Sequence, residues 1–274
     1  MNYLNFLWKR HRFLVIAIAL LLVNSAVIYL TDLTHSRQIR LFSTASFLLF
    51  YLLSNKKRNV FILATLLFFL GKDIAIQGYE SYVGNIVYLL FGILVYGTII
   101  LERFQKIRNI EISSSLIFLS VLLVTANTYA LYNILDKIGH SFENTFQIIL
   151  FYTYGAFMML MAIVAVAYNN LYDSKRSFIF ILLVFSFVIS DVSSLFAYYY
   201  EIDFCYYIDR ISYILGFVFF VNYGLNLTLV REEKEQLELL YGTPSDLPKS
   251  ETDSASVSET KASLLTYTNH KNAH

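Results

Sequence analysis

Eight stretches of mainly apolar residues, at 13–30, 41–53, 60–77, 83–101, 113–135, 146–168, 177–199 and 208–229, follow one another with only short polar connections. A helix needs about 20 such residues to cross the roughly 30 Å hydrocarbon core of a bilayer. Seven stretches are long enough. The second is short and needs local thinning or support from its neighbours. Inside lipid every backbone N–H and C=O must be satisfied within the protein, which leaves helices or a closed barrel. Runs of this length are helical, so the pattern predicts an all-α polytopic membrane bundle of eight transmembrane helices. The two prolines of the chain both fall beyond the last run, so no span is interrupted by one.

Lysine and arginine positions test that count. Thirteen of those that flank the spans fall on one side of the predicted membrane, and five, Arg37, Arg40, Lys72, Lys137 and Arg210, fall on the other. The excess marks the cytoplasmic side and alternates at every connection, which predicts that both chain ends are cytoplasmic. The organisation expected is an eight-span membrane domain over 1–230, a charged cytoplasmic helical extension over 231–242 and a disordered polar tail over 243–274. The first apolar run lacks a small-x-small cleavage pattern after it and reads as an uncleaved span. A bacterial inner (cell) membrane is the expected location. Nothing points to nucleic acid, and the net charge of +1 carries no information about partners. The single cysteine, Cys205, excludes an intrachain disulfide and a cysteine-based zinc cluster. No cofactor or metal is implied, and the oligomeric state is left open. His140, with Asp136 and Glu143 near it, reads as a solvated loop histidine.

Two acids stand inside apolar runs. Asp73 follows the basic edge at Arg58 by 15 residues, and Asp191 follows Arg176 by the same 15. At about 1.5 Å per residue both sit roughly 22 Å from the same face. A charge at such depth costs about 2.5–3.5 kcal/mol on insertion scales and usually faces a protein interior or a wet cavity. Asp73 and Asp191 are therefore the candidate catalytic pair. Lys72, on another face of its helix, is expected to snorkel outward. Gln77, Asn127, Tyr152, Ser190, Ser194 and Tyr213 lie at similar depth and are the candidate substrate-binding residues. The competing reading of all of these is interhelical glue, each polar group bonded across a helix interface. Equal spacing in the third and seventh spans also hints at a parallel repeat of spans one to four and five to eight. No Gly-x-Ser-x-Gly elbow, His-Glu-x-x-His or phosphate-cradling loop is present.

Three segments carry a family resemblance. The seventh span, FVISDVSSL, resembles the Phe-x-x-Ser-Asp-x-x-Leu signature of the YhhN family of lysoplasmalogenase-like integral membrane proteins, with Asp191 on its aspartate. The sixth, FYTYGAFMMLMAIVA, is similar to that family's tyrosine-then-methionine helix, and SYILGFVFFVNYGL to its last span. The similarity extends over about residues 13–230. The chain departs from the pattern at Lys72, which separates Gly71 from Asp73, and at Gly92, which stands where the family usually bears a histidine.

The resemblance implies hydrolysis of the vinyl ether bond of a lysolipid, a membrane lysophospholipid, to a fatty aldehyde and a glycerophosphobase. Such an ether is cleaved by protonating the far alkene carbon, which leaves an oxocarbenium ion for water to capture. Two carboxyls suit that step, one neutral as acid and the other ionised beside the cation, as in glycosidases; the assignment preferred is Asp191 as acid and Asp73 as the ionised group, with the reverse left open. A non-catalytic sensor or lipid-binding module signalling through its cytoplasmic helix is the alternative. A small transporter is a third, disfavoured by the absence of broken spans.

Overall fold

The computed structural model describes residues 2–30, 32–54, 59–107, 114–139 and 142–225, which belong to one compact unit, Met1–Leu229. The expected extension over 231–242, the tail and His140 lie outside the described residues. Eight α-helices run through it: α1 (Asn2–Leu30), α2 (Leu33–Ser54), α3 (Val60–Ala75, continued by a 3-10 turn, Ile76–Gly78), α4 (Tyr82–Ile107), α5 (Ser114–Ile138), α6 (Thr145–Tyr172), α7 (Lys175–Tyr199) and α8 (Asp203–Leu225).

Helix starts are set by side chains that accept from the unpaired N–H groups of the first turn. Asn59 caps α3 through Phe61 N and Asn144 caps α6 through Gln147 N. Ser174 and Ser177 form a reciprocal capping box at α7. The α6–α7 connection is two residues long, and Asp173 adopts the left-handed conformation (φ 38°) to make that reversal.

Six helices, all but α2 and α5, are long and apolar enough to cross a membrane. The second helix is nevertheless 22 residues long. It begins eight residues before the apolar run expected at 41–53, because Arg37 and Arg40 in its first turns are buried among acids of the bundle. Of the five basic residues assigned to the outer side, Arg37, Arg40, Lys72 and Arg210 are all buried, and Lys137 is exposed. Lys72 does not snorkel outward; it is fully buried.

Packing closes a ring. Helix α2 packs on α3, α3 on α4, α4 on α6, α6 on α7, α7 on α8, and α8 back on α2. Helix α1 lies outside against α2 and α8, and α5 lies outside against α6. Exchanging α1–α4 for α5–α8 maps the ring onto itself. Across its middle α3 faces α7 through Phe69 and Phe187, whose ring centroids are 4.6 Å apart. Phe217 of α8 completes this aromatic plug, 4.9 Å from Phe69 and 5.4 Å from Phe187. At one end of the ring, Arg103 of α4 lies over the rings of Tyr168 (4.5 Å) and Tyr223 (4.8 Å). The polar groups that concern function gather at the other end.

Candidate functional site

Asp73 and Asp191 each accept hydrogen bonds from two hydroxyls and one cation, on equivalent helices. Asp73 of α3 accepts from Tyr213 of α8 (2.5 Å) and from Thr44 of α2, and those two hydroxyls are themselves 2.9 Å apart. Asp191 of α7 accepts from Tyr96 of α4 and from Tyr154 of α6, whose hydroxyls are 3.2 Å apart. The exchange that maps α3 to α7 also maps α8 to α4 and α2 to α6. The two triangles are the same construction built twice.

The cations break the equivalence. Arg40 of α2 donates Nε to Asp73 at 2.9 Å. Lys72 of α3 reaches across the ring and donates to both oxygens of Asp191, at 3.0 and 3.1 Å, and to Tyr154 Oη at 2.8 Å. Its ammonium lies 5.0–5.6 Å from the ring centroids of Tyr88, Tyr96 and Tyr154. Three aromatic faces and a carboxylate replace the water that a buried lysine loses.

Gly92 is what lets Tyr154 come so close. A Cβ at that position would stand 2.1 Å from Tyr154 Cε2. The space over Gly92 is filled by the ring of Tyr154.

A third acid, Asp209 of α8, accepts from Ser190 Oγ (2.6 Å) and from Arg210 Nη1 (3.0 Å), and lies 3.7 Å from Arg40 Nη1. Arg210 also donates to Ser36 Oγ at 3.0 Å. Asp73, Asp191 and Asp209 are thus balanced by Arg40, Lys72 and Arg210, all six at most 5% exposed. A buried charge tolerates this only when paired and hydrogen-bonded.

A small cavity of about 50 Å³ lies over this network. Asp191, Asp209, Arg40 and Arg210 line its polar side, and Leu33, Ile76, Leu89, Phe151 and Leu195 its apolar walls. Arg37, Tyr79 and Tyr199 also line the cavity; Arg37 clasps Glu80 bidentately (3.0 and 2.6 Å), and the hydroxyls of Tyr79 and Tyr199 are bonded at 2.8 Å. Hydrogen bonds from Arg37 hold the Glu80 carboxyl below its ordinary range, against partial burial.

The residues singled out from sequence divide accordingly. Asp191 and Ser194 line the cavity. Asp73 and Tyr213 do not; they bond each other beneath Arg40. Ser190 orients Asp209. Gln77 donates to the backbone carbonyl of Asp73 at 3.3 Å. Asn127 and Tyr152 stand elsewhere, in an apolar cleft between α5 and α6, with Asn127 donating to Gly155 O at 3.4 Å. Tyr152 is 36% exposed, whereas Tyr154, two positions on and so on the opposite side of the helix, is buried. The residues that sequence reasoning missed are Arg40, Thr44, Tyr88, Tyr96 and Asp209. Arg40 and Asp209 sit within one turn of a predicted span's end, where a charge ordinarily reads as solvated. No sequence signal singles them out, because the same predicted side also carries Asp32, Asp136, Lys137, Glu143, Glu201 and Asp203.

One feature of the floor is costly. Neither Nη1 nor Nη2 of the fully buried Arg40 has a hydrogen-bond partner, and nor has Arg210 Nε. A buried donor left unmade costs about 1–3 kcal/mol. In comparisons with known proteins, no family model, no curated sequence and no solved structure matches the chain.

Proposed function

We propose that the chain is a YhhN-type membrane hydrolase that cleaves the vinyl ether bond of a lysolipid, with all eight helices spanning a bacterial cell membrane and both ends cytoplasmic. The observation that carries the reading is that two carboxylates, Asp191 and Asp209, share one cavity with Arg37, Arg40 and Arg210, against walls that are otherwise mainly aliphatic and aromatic. An amphiphile with a polar head and an apolar chain matches such a lining.

The roles follow from the partners. Asp191, held by Lys72 and two tyrosine hydroxyls, is the ionised group that stabilises the oxocarbenium ion and orients the attacking water. The expectation from sequence gave that role to Asp73. Asp209 is the second carboxyl on the cavity and the proton donor to the far alkene carbon. The alkene π pair forms the new C–H bond, water adds to the cation and returns a proton to Asp209, and the hemiacetal collapses to aldehyde and glycerol hydroxyl. Asp209 is paired with Arg210 in the resting state, so it serves as acid only when a bound substrate draws that guanidinium away.

Purified protein in lipid nanodiscs is expected to release fatty aldehyde from a 1-alkenyl lysophospholipid and not from its saturated 1-alkyl analogue. Absence of aldehyde from the alkenyl lipid sinks the hydrolase reading.

One observation favours the alternative, a lipid-binding sensor: every carboxylate oxygen at the floor already accepts a hydrogen bond. A site that binds without reacting needs no free acid. Saturable binding of both lipids with no aldehyde from either is the result that reading expects.

A further inference from the structure

We infer that the cavity floor is an oxyanion site, made by Arg40 and Arg210, that takes the phosphate group of its ligand. The inference deepens the lysolipid reading and rests on it only in placing the ligand in this cavity.

Every carboxylate oxygen at the floor accepts at least one hydrogen bond, whereas three guanidinium nitrogens there make none. Asp73 Oδ1 accepts from Arg40 Nε, and Oδ2 from Thr44 and Tyr213. Both oxygens of Asp191 accept from Lys72, and those of Asp209 from Ser190 and Arg210. Against this, Arg40 Nη1, Arg40 Nη2 and Arg210 Nε are buried without partners, and both residues line the cavity. The Asp209 carboxylate lies 3.7 Å from Arg40 Nη1, too far for a hydrogen bond.

Arg40 is fixed in place. Its Nε is tied to Asp73, and its guanidinium lies 4.0 Å from the ring centroid of Tyr213. It therefore cannot swing to find another acceptor, and the acceptor must come to it. A planar guanidinium with two free nitrogens matches two oxygens of one phosphate, and a tetrahedral anion can take a third bond from a second arginine. Asp191 and Asp209 on the same cavity oppose a bare anion, but each is already neutralised by its own cation. Leu33, Leu89 and Phe151 line the same cavity and suit carbon attached to the phosphate. A phosphate carried by a lipid and free phosphate share the chemistry, and the probes separate them.

The test measures binding to the full chain in nanodiscs by calorimetry, using three probes: inorganic phosphate, 1-oleoyl lysophosphatidic acid and 1-oleoylglycerol. The lysophosphatidic acid is expected to bind at least about tenfold more tightly than the glycerol lipid, which has the same chain and no phosphate. Competition by inorganic phosphate identifies a site that reads phosphate alone, and its silence one that needs the lipid as well. Arg210→Lys, which keeps the charge and removes the fork, is expected to erase most of the preference for the phosphate-bearing lipid. Equal binding of the two lipids to the unaltered chain, with inorganic phosphate silent, overturns the site; this comparison needs no variant to fold. Phosphate preference without aldehyde release leaves the oxyanion site standing and removes the hydrolase. Aldehyde release without phosphate preference does the reverse.

Discussion

Phe69 and Phe187 meet ring to ring at 4.6 Å, and each stands four residues before an aspartate, Asp73 in one case and Asp191 in the other. One turn beyond the contact, the two helices diverge in what they offer. Asp73 turns to α2 and α8, and Asp191 to α4 and α6. Two equivalent carboxylate triangles stand one turn beyond the phenylalanine contact, and of their two acids Asp191 lines the cavity. The second cavity acid is Asp209, which has no equivalent in the other half: offset by the same 118 positions as Asp73 and Asp191, residue 91 is Phe91.

The Lys72–Asp191 pair has both side chains at most 6% exposed. Removing one partner leaves an unpaired buried charge, so Lys72→Met alone is expected to destabilise by about 3–5 kcal/mol. The double variant Lys72→Met with Asp191→Asn removes both charges and is expected to recover most of that loss. Chemical denaturation in detergent of the four proteins of the cycle checks it, with additivity as the contrary outcome.

Gly92→Ala is expected to push the ring of Tyr154 off Asp191, since the added carbon would overlap Cε2 of that ring. Overpacking of this kind costs about 1–3 kcal/mol. The check is thermal unfolding together with aldehyde release. Pairing it with Tyr154→Leu, which removes the ring and its hydroxyl, is expected to restore stability without restoring activity.

The clasp between Arg37 and Glu80 gives a pH signature. The folded-state carboxyl titrates below its ordinary value of 4.5, so the clasp's contribution to stability is fully present above that value. It is lost as pH falls through the lower folded-state value. Glu80 is 54% exposed, so solvent screening keeps the contribution under about 1 kcal/mol. The stability difference between the unaltered chain and Glu80→Gln is expected to hold at neutral pH and vanish in acid. A difference that grows on acidification contradicts the assignment.

The helices were legible in the sequence because an apolar run of spanning length has one structural outcome. The start of α2 was not. Arg37 and Arg40 look like a loop between spans until Glu80, Asp73 and Asp209, far off in the chain, are seen to neutralise them. The same blindness hid Lys72, whose ammonium reads as a snorkelling charge when only its own helix is known. Asp191 was legible as a functional candidate because a carboxylate deep in an apolar run is expensive in any fold. Which acid shares its cavity depends on how eight helices rotate about their axes, and spacing along one helix does not carry that. Tyr152 and Tyr154 make the point within a single span. Both are tyrosines at one depth, and helix rotation alone decides that the second reaches Asp191.

The most direct measurement is aldehyde release per folded molecule by three variants, Asp191→Asn, Asp209→Asn and Asp73→Asn, each normalised to the fraction that is monodisperse in detergent. Asp191→Asn and Asp209→Asn are expected to fall to background, while Asp73→Asn retains turnover in the fraction that folds. Loss of turnover in folded Asp73→Asn equal to that in Asp191→Asn, with Asp209→Asn active, would contradict the account and return the chemistry to Asp73 and Asp191.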